Sequence, residues 1–275
     1  MLEIQHKDVK SYSHNGFVVS DTYLSDELQT KILNAYDEFI ENNRNLTLEE
    51  MSSPHLNEGV GAKHNKSKEL SRKFLEIGKS EEIVSQVKKI LGDDVILWGM
   101  HCMHKEAKTG KKIPWHQDGT YWPIEPKATC SVWIAITDVD EKNGCMKFIP
   151  KSHKLGVLPH LQEDKVKDEG ELKGSLDLKI DESSFDENEA VNCVINKGQV
   201  SFHDTYLLHS SDANFSNSAR KAIVLRYMPS TSLFDRSIPN RTSANGFKYD
   251  FSERPIFLVS GEAKNNQLKD DNYKL

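Results

Sequence analysis

Three features are scarce or missing in this sequence, and each excludes a class of protein. Only four of the 275 residues are cysteine, without a CxxC pair, so neither a disulfide framework nor a zinc ribbon is expected. No stretch approaches the roughly 20 apolar residues of a membrane span, and the start has no apolar signal-peptide core. The net charge of -6 argues against nucleic acid as a partner. We therefore expect a cytoplasmic protein, either a monomer or a homodimer.

The composition is that of an ordinary globular protein with a substantial core, since 37% of the residues are hydrophobic and 28% are charged. We expect a single domain over residues 1–275. Its helical support should lie mainly at 20–92 and its β core at about 95–228. A charged insert at 161–190 is expected to be mostly a solvated loop, and the tail at 229–275 is rich in loop residues.

Two helices are predicted before the β core. Ser25 is a typical N-cap, and apolar residues recur at helical spacing through 26–42. A second helix should open at Ser80 and end at Gly92. Many short strands separated by turns follow, so we expect a mainly β protein, a sandwich or barrel with helices on one side.

Residues 115–122, with the sequence WHQDGTYW, carry the strongest chemical signal. His116 and Asp118 are two apart, so in an extended strand their side chains lie on the same face. One imidazole nitrogen and one carboxylate oxygen then meet at one point. A distant histidine would complete the two-histidine, one-carboxylate set of non-heme Fe(II) oxygenases. Alone, such a pair is more often a chance surface pair.

Three further motifs follow this stretch. They are NGC at 143–145, IPKSHK at 149–154, and His209 with Arg220 eleven residues after it. Together with WHQD, they resemble the phytanoyl-CoA dioxygenase family of iron- and 2-oxoglutarate-dependent oxygenases, over about residues 15–228. The charged insert and the tail depart from the family pattern. The Asn-Gly pair is by itself a strong hairpin-turn signal, and we expect its role to be structural.

The resemblance implies a double-stranded β-helix (jelly-roll) core that binds Fe(II), 2-oxoglutarate and O2. We assign His116, Asp118 and His209 as catalytic residues and metal ligands. Arg220 is assigned to the far carboxylate of 2-oxoglutarate, because a guanidinium is permanently charged and donates two parallel hydrogen bonds. The carboxylate of Asp118 favours hydroxylation over halogenation, since halogenases of the family carry a small residue there.

Further cosubstrate contacts are expected from residues 129–137, where two faces alternate. One face is apolar and suits packing under helices. The other carries Thr129, Ser131 and Trp133 and suits a wet pocket. Trp133 matches a pocket tryptophan of the family, and the two hydroxyls are predicted to assist.

Ser211 matches the family serine of an H-x-S motif that also contacts the cosubstrate. A hairpin through residues 212–217 is expected to bring Arg220 back beside the strand of His209. Arg226 shares the strand face of Arg220, which leaves open whether one or both enter the pocket.

Substrate contacts are predicted from Gln117, Thr120, Tyr121 and Trp122, for which packing at the barrel mouth is an equal alternative. The motif is similar to that of bacterial family members that act on small polar metabolites. The expected reaction is hydroxylation of an unactivated C–H bond in such a small molecule, for example an amino acid or an aminoalkylphosphonate, with release of succinate and CO2.

Two other classes of protein remain open. A non-redox, cupin-like metal sensor or binding protein would bind metal without turnover and would have no use for Arg220. A structural β-sandwich with an incidental HxD would keep its metal content when His116 is replaced by alanine.

Overall fold

The computed structural model describes residues 1–44, 51–56, 67–162, 178–238, 241–242 and 248–268. The helices in these ranges are α1 (His6–Asn15), α2 (Asp26–Asn42), α3 (Lys68–Gly78) and α4 (Glu81–Leu91). The strands before residue 190 are β1 (Phe17–Val19), β2 (Val95–Lys105), β3 (Ile113–His116), β4 (Ile124–Glu125), β5 (Cys130–Ala135), β6 (Met146–Phe148), β7 (His160–Gln162) and β8 (Leu178–Ile180). Those after it are β9 (Val191–Cys193), β10 (Val200–Asp204), β11 (His209–Ser211), β12 (Arg220–Pro229), β13 (Leu233–Phe234), β14 (Arg241–Thr242), β15 (Lys248–Tyr249) and β16 (Phe257–Ser260).

Two antiparallel sheets form the core. The larger has six strands in the order β1-β10-β5-β12-β2-β16, and the smaller has four in the order β3-β11-β6-β9. From β5 to β12 the chain passes repeatedly from one sheet to the other. Side chains of both sheets, among them Trp133, Phe148 and Val224, pack together in the interior. The predicted mainly β jelly roll is confirmed.

The two faces of β5 separate the interior from the helical layer. Val132 and Ile134 pack with the residues of the helices, whereas Trp133 and Ala135 belong to the interior between the sheets. The alternation predicted for this strand is therefore confirmed. This alternation matters for function because it turns the Trp133 side chain toward the inside of the barrel.

The helical layer is larger than predicted. The helix over 26–42 is confirmed, and the hydroxyl of its N-cap Ser25 accepts a 3.3 Å hydrogen bond from the amide of Leu28. The helix that ends at Gly92 is confirmed as well, with Gly92 at φ 91°. The expectation of only two helices is wrong, because α1 and α3 also form. α1 is mostly polar and buries only Tyr12 among its residues, so it has little apolar periodicity.

The described part of the tail is packed rather than loop-like. β16 pairs with β2 at the edge of the large sheet, and β13 pairs with β4. Phe251 and Ile256 are buried with Trp98 and Trp122 in one cluster. The tail thus covers an edge of the large sheet. No helix in the described ranges is both long and apolar enough to span a membrane.

The charged insert is anchored at both ends. β7 and β8 pair as an antiparallel ribbon, Ile180 is buried, and the ring of Phe185 lies 5.2 Å from that of Trp115. The described ends therefore combine a short ribbon with a loop over 181–190 whose described residues are mostly exposed. Residues 163–177 lie outside the described residues.

Candidate metal centre

Three side chains from two segments converge at one mouth of the barrel. His116 ends β3, Gln117 is still extended, and Asp118 opens a short 3-10 turn. The side chains of His116 and Asp118 point to the same place, although Asp118 lies just past the end of the strand. His209, at the start of β11, is the register partner of His116. One ligand atom from each of the three lies within 4.8 Å of the others.

Backbone carbonyls fix the orientation of both imidazoles. Nδ1 of His116 lies 2.8 Å from the carbonyl oxygen of Pro114, and Nδ1 of His209 lies 2.9 Å from that of Leu207. A carbonyl oxygen only accepts hydrogen bonds, so each Nδ1 carries the proton and each Nε2 presents a lone pair. The two ring centroids are 4.1 Å apart. This donor set fits a divalent metal ion.

The charges of His209 and Asp118 also suit a metal ion. Burial, followed by the proximity of His116, lowers the pKa of His209 to about 3, so this imidazole is neutral at pH 7. Burial alone would raise the pKa of Asp118. The proximity of His116, whose Nε2 lies 3.7 Å away, and the charge of Arg226 instead hold its pKa well below its usual range. The neutral imidazole of His209 and the anionic carboxylate of Asp118 therefore face a common point.

A cavity of about 100 Å³ extends from these three residues into the barrel. Its walls include Trp133, Ser211 and Arg220, which the sequence placed at the site, and also Arg226. Both arginines therefore enter the cavity, which answers the question that the sequence left open. His203 also lines the cavity.

Arg220 is the most deeply buried charge of the cavity, at 1% exposure. Its Nη1 donates a 2.8 Å hydrogen bond to the carbonyl oxygen of Gly144, and its guanidinium lies 5.5 Å from the ring centre of Trp133. Burial lowers its pKa to about 10, so it stays charged at pH 7. The Asn143-Gly144 turn, for which a structural role is predicted, thus also positions the arginine.

The segment between His209 and Arg220 is not the predicted hairpin. β11 pairs with β3 and β6 in the small sheet, whereas β12 pairs with β2 and β5 in the large one. The chain therefore crosses the barrel between the two residues. They approach the same cavity from opposite walls.

Lys105, which the sequence reasoning did not single out, lies beside Arg220 although it does not line the cavity. It is the register partner of Arg220 on β2 and is 3% exposed. Its ammonium donates to the carbonyl oxygen of Ser211 at 3.3 Å and to that of Asp212. Burial, followed by the charge of Arg220, lowers its pKa to about 6. Strand alternation within β2 could have placed it on the inner face, but only the β2–β12 register places it beside Arg220.

Gln117, predicted to contact substrate, does not line the cavity. Its side-chain amide donates to the carbonyl oxygens of Gly156 at 2.8 Å and Tyr206 at 2.7 Å. Its side-chain oxygen accepts from the amide of Leu158 at 2.8 Å. The side chain is completely buried, so it joins three loops rather than binding a ligand.

The other predicted substrate residues fall in different places. The hydroxyl of Thr120 lies 3.2 Å from Nδ1 of His160 and outside the cavity wall. The ring of Trp122 lies 5.2 Å below the guanidinium of Arg226, at the edge of the site. The side chain of Tyr121 lies outside the described residues.

Thr129 and Ser131 do not line the cavity either. Both are buried, and within the described part of the chain neither hydroxyl has a hydrogen-bond partner. Ser131 pairs in register with His203 on one side and Arg226 on the other, and both of these neighbours reach the cavity. The serine side chain is shorter than both neighbours, which explains why Ser131 does not line the cavity.

A jelly-roll barrel with two imidazole nitrogens, one carboxylate oxygen and a buried arginine around one cavity has the arrangement of the non-heme iron oxygenases. The chain belongs to the phytanoyl-CoA dioxygenase (PhyH) family, whose family model matches residues 12–222.

Two curated relatives show how far the likeness extends. The peroxisomal phytanoyl-CoA dioxygenase of Bos taurus is 30% identical over 148 residues, which cover 52% of this chain and 42% of the relative. The chain thus matches less than half the length of that relative. The ectoine dioxygenase of Bordetella bronchiseptica is 24% identical over 93% of this chain and 82% of its own length.

Solved structures share the fold. The non-heme monooxygenase ThoJ in its apo form superposes with a TM-score of 0.65 over 92% of this chain and 84% of its own, at 21% identity. At this identity the likeness establishes the shared jelly roll.

Proposed function

We propose that this protein is an Fe(II)- and 2-oxoglutarate-dependent dioxygenase that hydroxylates an unactivated C–H bond of a small polar metabolite. Amino acids and aminoalkylphosphonates are the candidate substrates, and succinate and CO2 are the coproducts. The observation that carries the proposal is one cavity lined by the His116, Asp118 and His209 group and by the buried cation of Arg220 on the opposite wall. O2 would be the oxidant, bound Fe(II) would activate it, and 2-oxoglutarate would supply two electrons as it is decarboxylated to succinate.

His116, Asp118 and His209 would hold the ion. The Pro114 and Leu207 carbonyls already orient the two imidazoles, so these side chains would need little rearrangement on binding. A ligand set of two histidines and one carboxylate would leave coordination positions for the cosubstrates.

Arg220 binds and orients the far carboxylate of the cosubstrate. The Gly144 carbonyl and the Trp133 ring hold the guanidinium in place, and this leaves its other N–H groups to donate to a carboxylate. Ser211 lines the adjacent wall. A buried, permanently charged guanidinium suits the far carboxylate of 2-oxoglutarate.

The alternative, a non-redox metal-binding protein, explains the group of His116, Asp118 and His209. It does not explain the buried Arg220. Burying a guanidinium away from an acidic partner is unfavourable unless an anionic ligand compensates for it. The polar wall that His203 and Arg226 contribute supports a polar substrate. The cytoplasmic location and the monomeric or homodimeric state stay predictions.

Anaerobic addition of Fe(II) and then 2-oxoglutarate tests the proposal, because chelation of iron by the keto acid gives a visible charge-transfer band. We expect the band in the wild type. With Arg220→Gln, the 2-oxoglutarate concentration needed for half saturation should rise by about 100-fold, while Fe(II) binding is retained. Arg72→Gln, which changes an exposed residue of α3, is the control. Iron binding without any band at saturating 2-oxoglutarate would reject the proposal.

A further inference from the structure

Residues 149–154, with the sequence IPKSHK, leave the end of β6 and pass beside the residue that precedes His209. Ser152 lies in this segment and is 2% exposed. Its hydroxyl donates a 2.7 Å hydrogen bond to the carbonyl oxygen of Ile149. A hydroxyl has only one proton, so its lone pairs remain free to accept. They accept a 2.8 Å hydrogen bond from the amide of Leu208.

The peptide group between Leu207 and Leu208 connects this hydroxyl to the metal centre. Its N–H donates to Ser152, and its C=O accepts the 2.9 Å hydrogen bond from Nδ1 of His209. The group is trans, and a planar trans peptide points its N–H and its C=O in opposite directions. Holding the N–H therefore also sets the direction of the carbonyl. The carbonyl in turn sets the rotation of the imidazole and keeps the proton on Nδ1.

The surroundings of Leu208 explain why the hydroxyl is needed. Its carbonyl accepts a 3.0 Å hydrogen bond from the amide of Ile149, and its side chain is fully buried in an apolar cluster. Without the Ser152 hydroxyl, the buried N–H would lose its partner, which is unfavourable. The N–H could regain a partner only if the peptide group rotated. Rotation would carry the Leu207 carbonyl away from His209.

The segment that carries Ser152 is itself held by α1. The amide of Lys151 donates a 2.8 Å hydrogen bond to the carbonyl oxygen of Asn15. Nε2 of His153 lies 3.2 Å from the carbonyl oxygen of Ser13, so this nitrogen carries a proton and donates. Both sequence neighbours of the serine are thus fixed by a helix outside the small sheet. Ser152 can therefore support the backbone before β11 without depending on β11 for its own position.

We propose that Ser152 is a positioning residue of the candidate metal centre. Its hydroxyl holds the peptide group between residues 207 and 208, which orients the His209 imidazole for the metal ion. This inference rests on the proposed function for the assignment of His209 as a metal ligand. Loss of a hydrogen bond to a ligating histidine typically weakens metal binding by about 10–100-fold. Ser152 acts one hydrogen bond further from the metal, so the lower end of that range is expected.

Ser20 offers a matched control, because it makes the same kinds of contact away from the metal centre. It is 1% exposed, and its hydroxyl accepts a 2.9 Å hydrogen bond from the amide of Val200 and donates a 2.8 Å one to the carbonyl oxygen of Thr22. Ser20→Ala and Ser152→Ala each deprive one buried amide of its acceptor. Both should lower the urea midpoint of unfolding to a similar extent. Only Ser152→Ala acts on the residue before a candidate metal ligand.

Metal affinity is the first measurement. Fe(II) is titrated into each protein without oxygen and without 2-oxoglutarate, in competition with a chelator, so the readout does not depend on turnover. We expect Ser152→Ala to weaken Fe(II) binding by about tenfold and Ser20→Ala by less than about twofold. If Ser152→Ala does not fold, Ser152→Cys keeps a side chain of similar size whose sulfur is a weaker acceptor, and it should weaken Fe(II) binding by several-fold.

The tautomer of His209 is the second measurement, and it needs no metal. Nitrogen-15 NMR of the imidazoles in the metal-free protein distinguishes a proton on Nδ1 from one on Nε2, and His209→Ala identifies the signals. We expect the Nδ1–H form in the wild type and in Ser20→Ala. Ser152→Ala, or Ser152→Cys in its place, should show a mixture of the two forms, since the Leu207 carbonyl is no longer held toward the ring.

Equal Fe(II) affinity in the Ser152 variant and in Ser20→Ala would overturn the inference, and so would an unchanged His209 tautomer in the Ser152 variant. If His209→Ala itself keeps the iron, the ligand assignment and this inference fail together. Fe(II) binding that depends on Ser152, in a protein that never forms the charge-transfer band with 2-oxoglutarate, would support the inference while rejecting the proposed oxygenase.

Discussion

The carbonyl oxygen of Gly144 accepts a 2.8 Å hydrogen bond from Nη1 of Arg220, and this bond joins the turn before β6 to the first residue of β12. The Trp133 ring supports the same guanidinium from another side. The arginine is therefore oriented before a ligand arrives. Binding then costs less side-chain entropy than it would for a mobile arginine.

Replacing Gly144 with alanine should disturb this arrangement. Gly144 has φ 80°, and a Cβ atom there would press on the backbone oxygen of Asp212. We expect the free energy of unfolding in urea to fall by about 1–3 kcal/mol and 2-oxoglutarate affinity to fall with it. Gly92→Ala is the matched control, because Gly92 has φ 91° but open space around a Cβ. An equal loss of 2-oxoglutarate affinity in both variants would contradict the role given to Gly144.

Metal content should distinguish His209 from its neighbour His203. Both are buried, both line the cavity, and their ring centroids are 5.4 Å apart. We expect His209→Ala to weaken Fe(II) binding by at least about 100-fold, since a metal ligand is removed, and His203→Ala to keep stoichiometric iron. Iron content after anaerobic loading and desalting measures this. Similar iron loss in the two variants would argue against the assigned ligand set.

Lys105 should make stability depend on pH. Its pKa is lowered to about 6 in the folded protein by burial and then by Arg220, whereas an unfolded lysine titrates near about 10.4. Between these values the unfolded chain binds a proton that the folded protein does not, so the free energy of unfolding rises with pH. The slope from this group is at most about 1.4 kcal/mol per pH unit. Urea unfolding at pH 7, 8 and 9 should show the wild type gaining stability relative to Lys105→Met as the pH rises. A constant difference between the two proteins would refute this pKa.

Gln117 should affect stability rather than substrate choice. Replacing it with leucine leaves the Gly156 and Tyr206 carbonyls and the Leu158 amide without their partner. We expect a loss of about 2–4 kcal/mol in the free energy of unfolding. Thr120→Val, which removes a hydroxyl near His160, is the control and should cost less. A Gln117→Leu protein of wild-type stability would show that these hydrogen bonds contribute little.

Much of the fold and of the metal centre could be predicted from the sequence because the signals are local. The spacing of His116 and Asp118 fixes their relative placement within a few residues of backbone. The helix over 26–42 and the two faces of β5 follow from periodicity alone. The roles of His209 and Arg220 were predicted from the family motifs. The residues of a single strand do not reveal which distant segments lie beside it.

The rest depends on pairing between distant segments. Lys105 lies beside Arg220 only through the register of β2 with β12, and Phe251 and Ile256 reach Trp98 only because the tail folds back onto the large sheet. Gln117 shows the opposite error, because the sequence placed it at the site and the structure does not. It stands between two candidate metal ligands in the sequence, yet its side chain turns away to bind three loops. Successive side chains of an extended strand point to opposite faces, so the residue next to a candidate metal ligand points away from the metal centre.

The crossing of the chain between β11 and β12 places His209 on one wall of the barrel and Arg220 on the other. Under the proposed function, 2-oxoglutarate held by the metal ion and by Arg220 would act as a strut between the two sheets. The closure of the barrel would then be linked to the concentration of a common metabolite. Resistance to heat and to proteases should then follow the supply of that metabolite, independently of any catalysis.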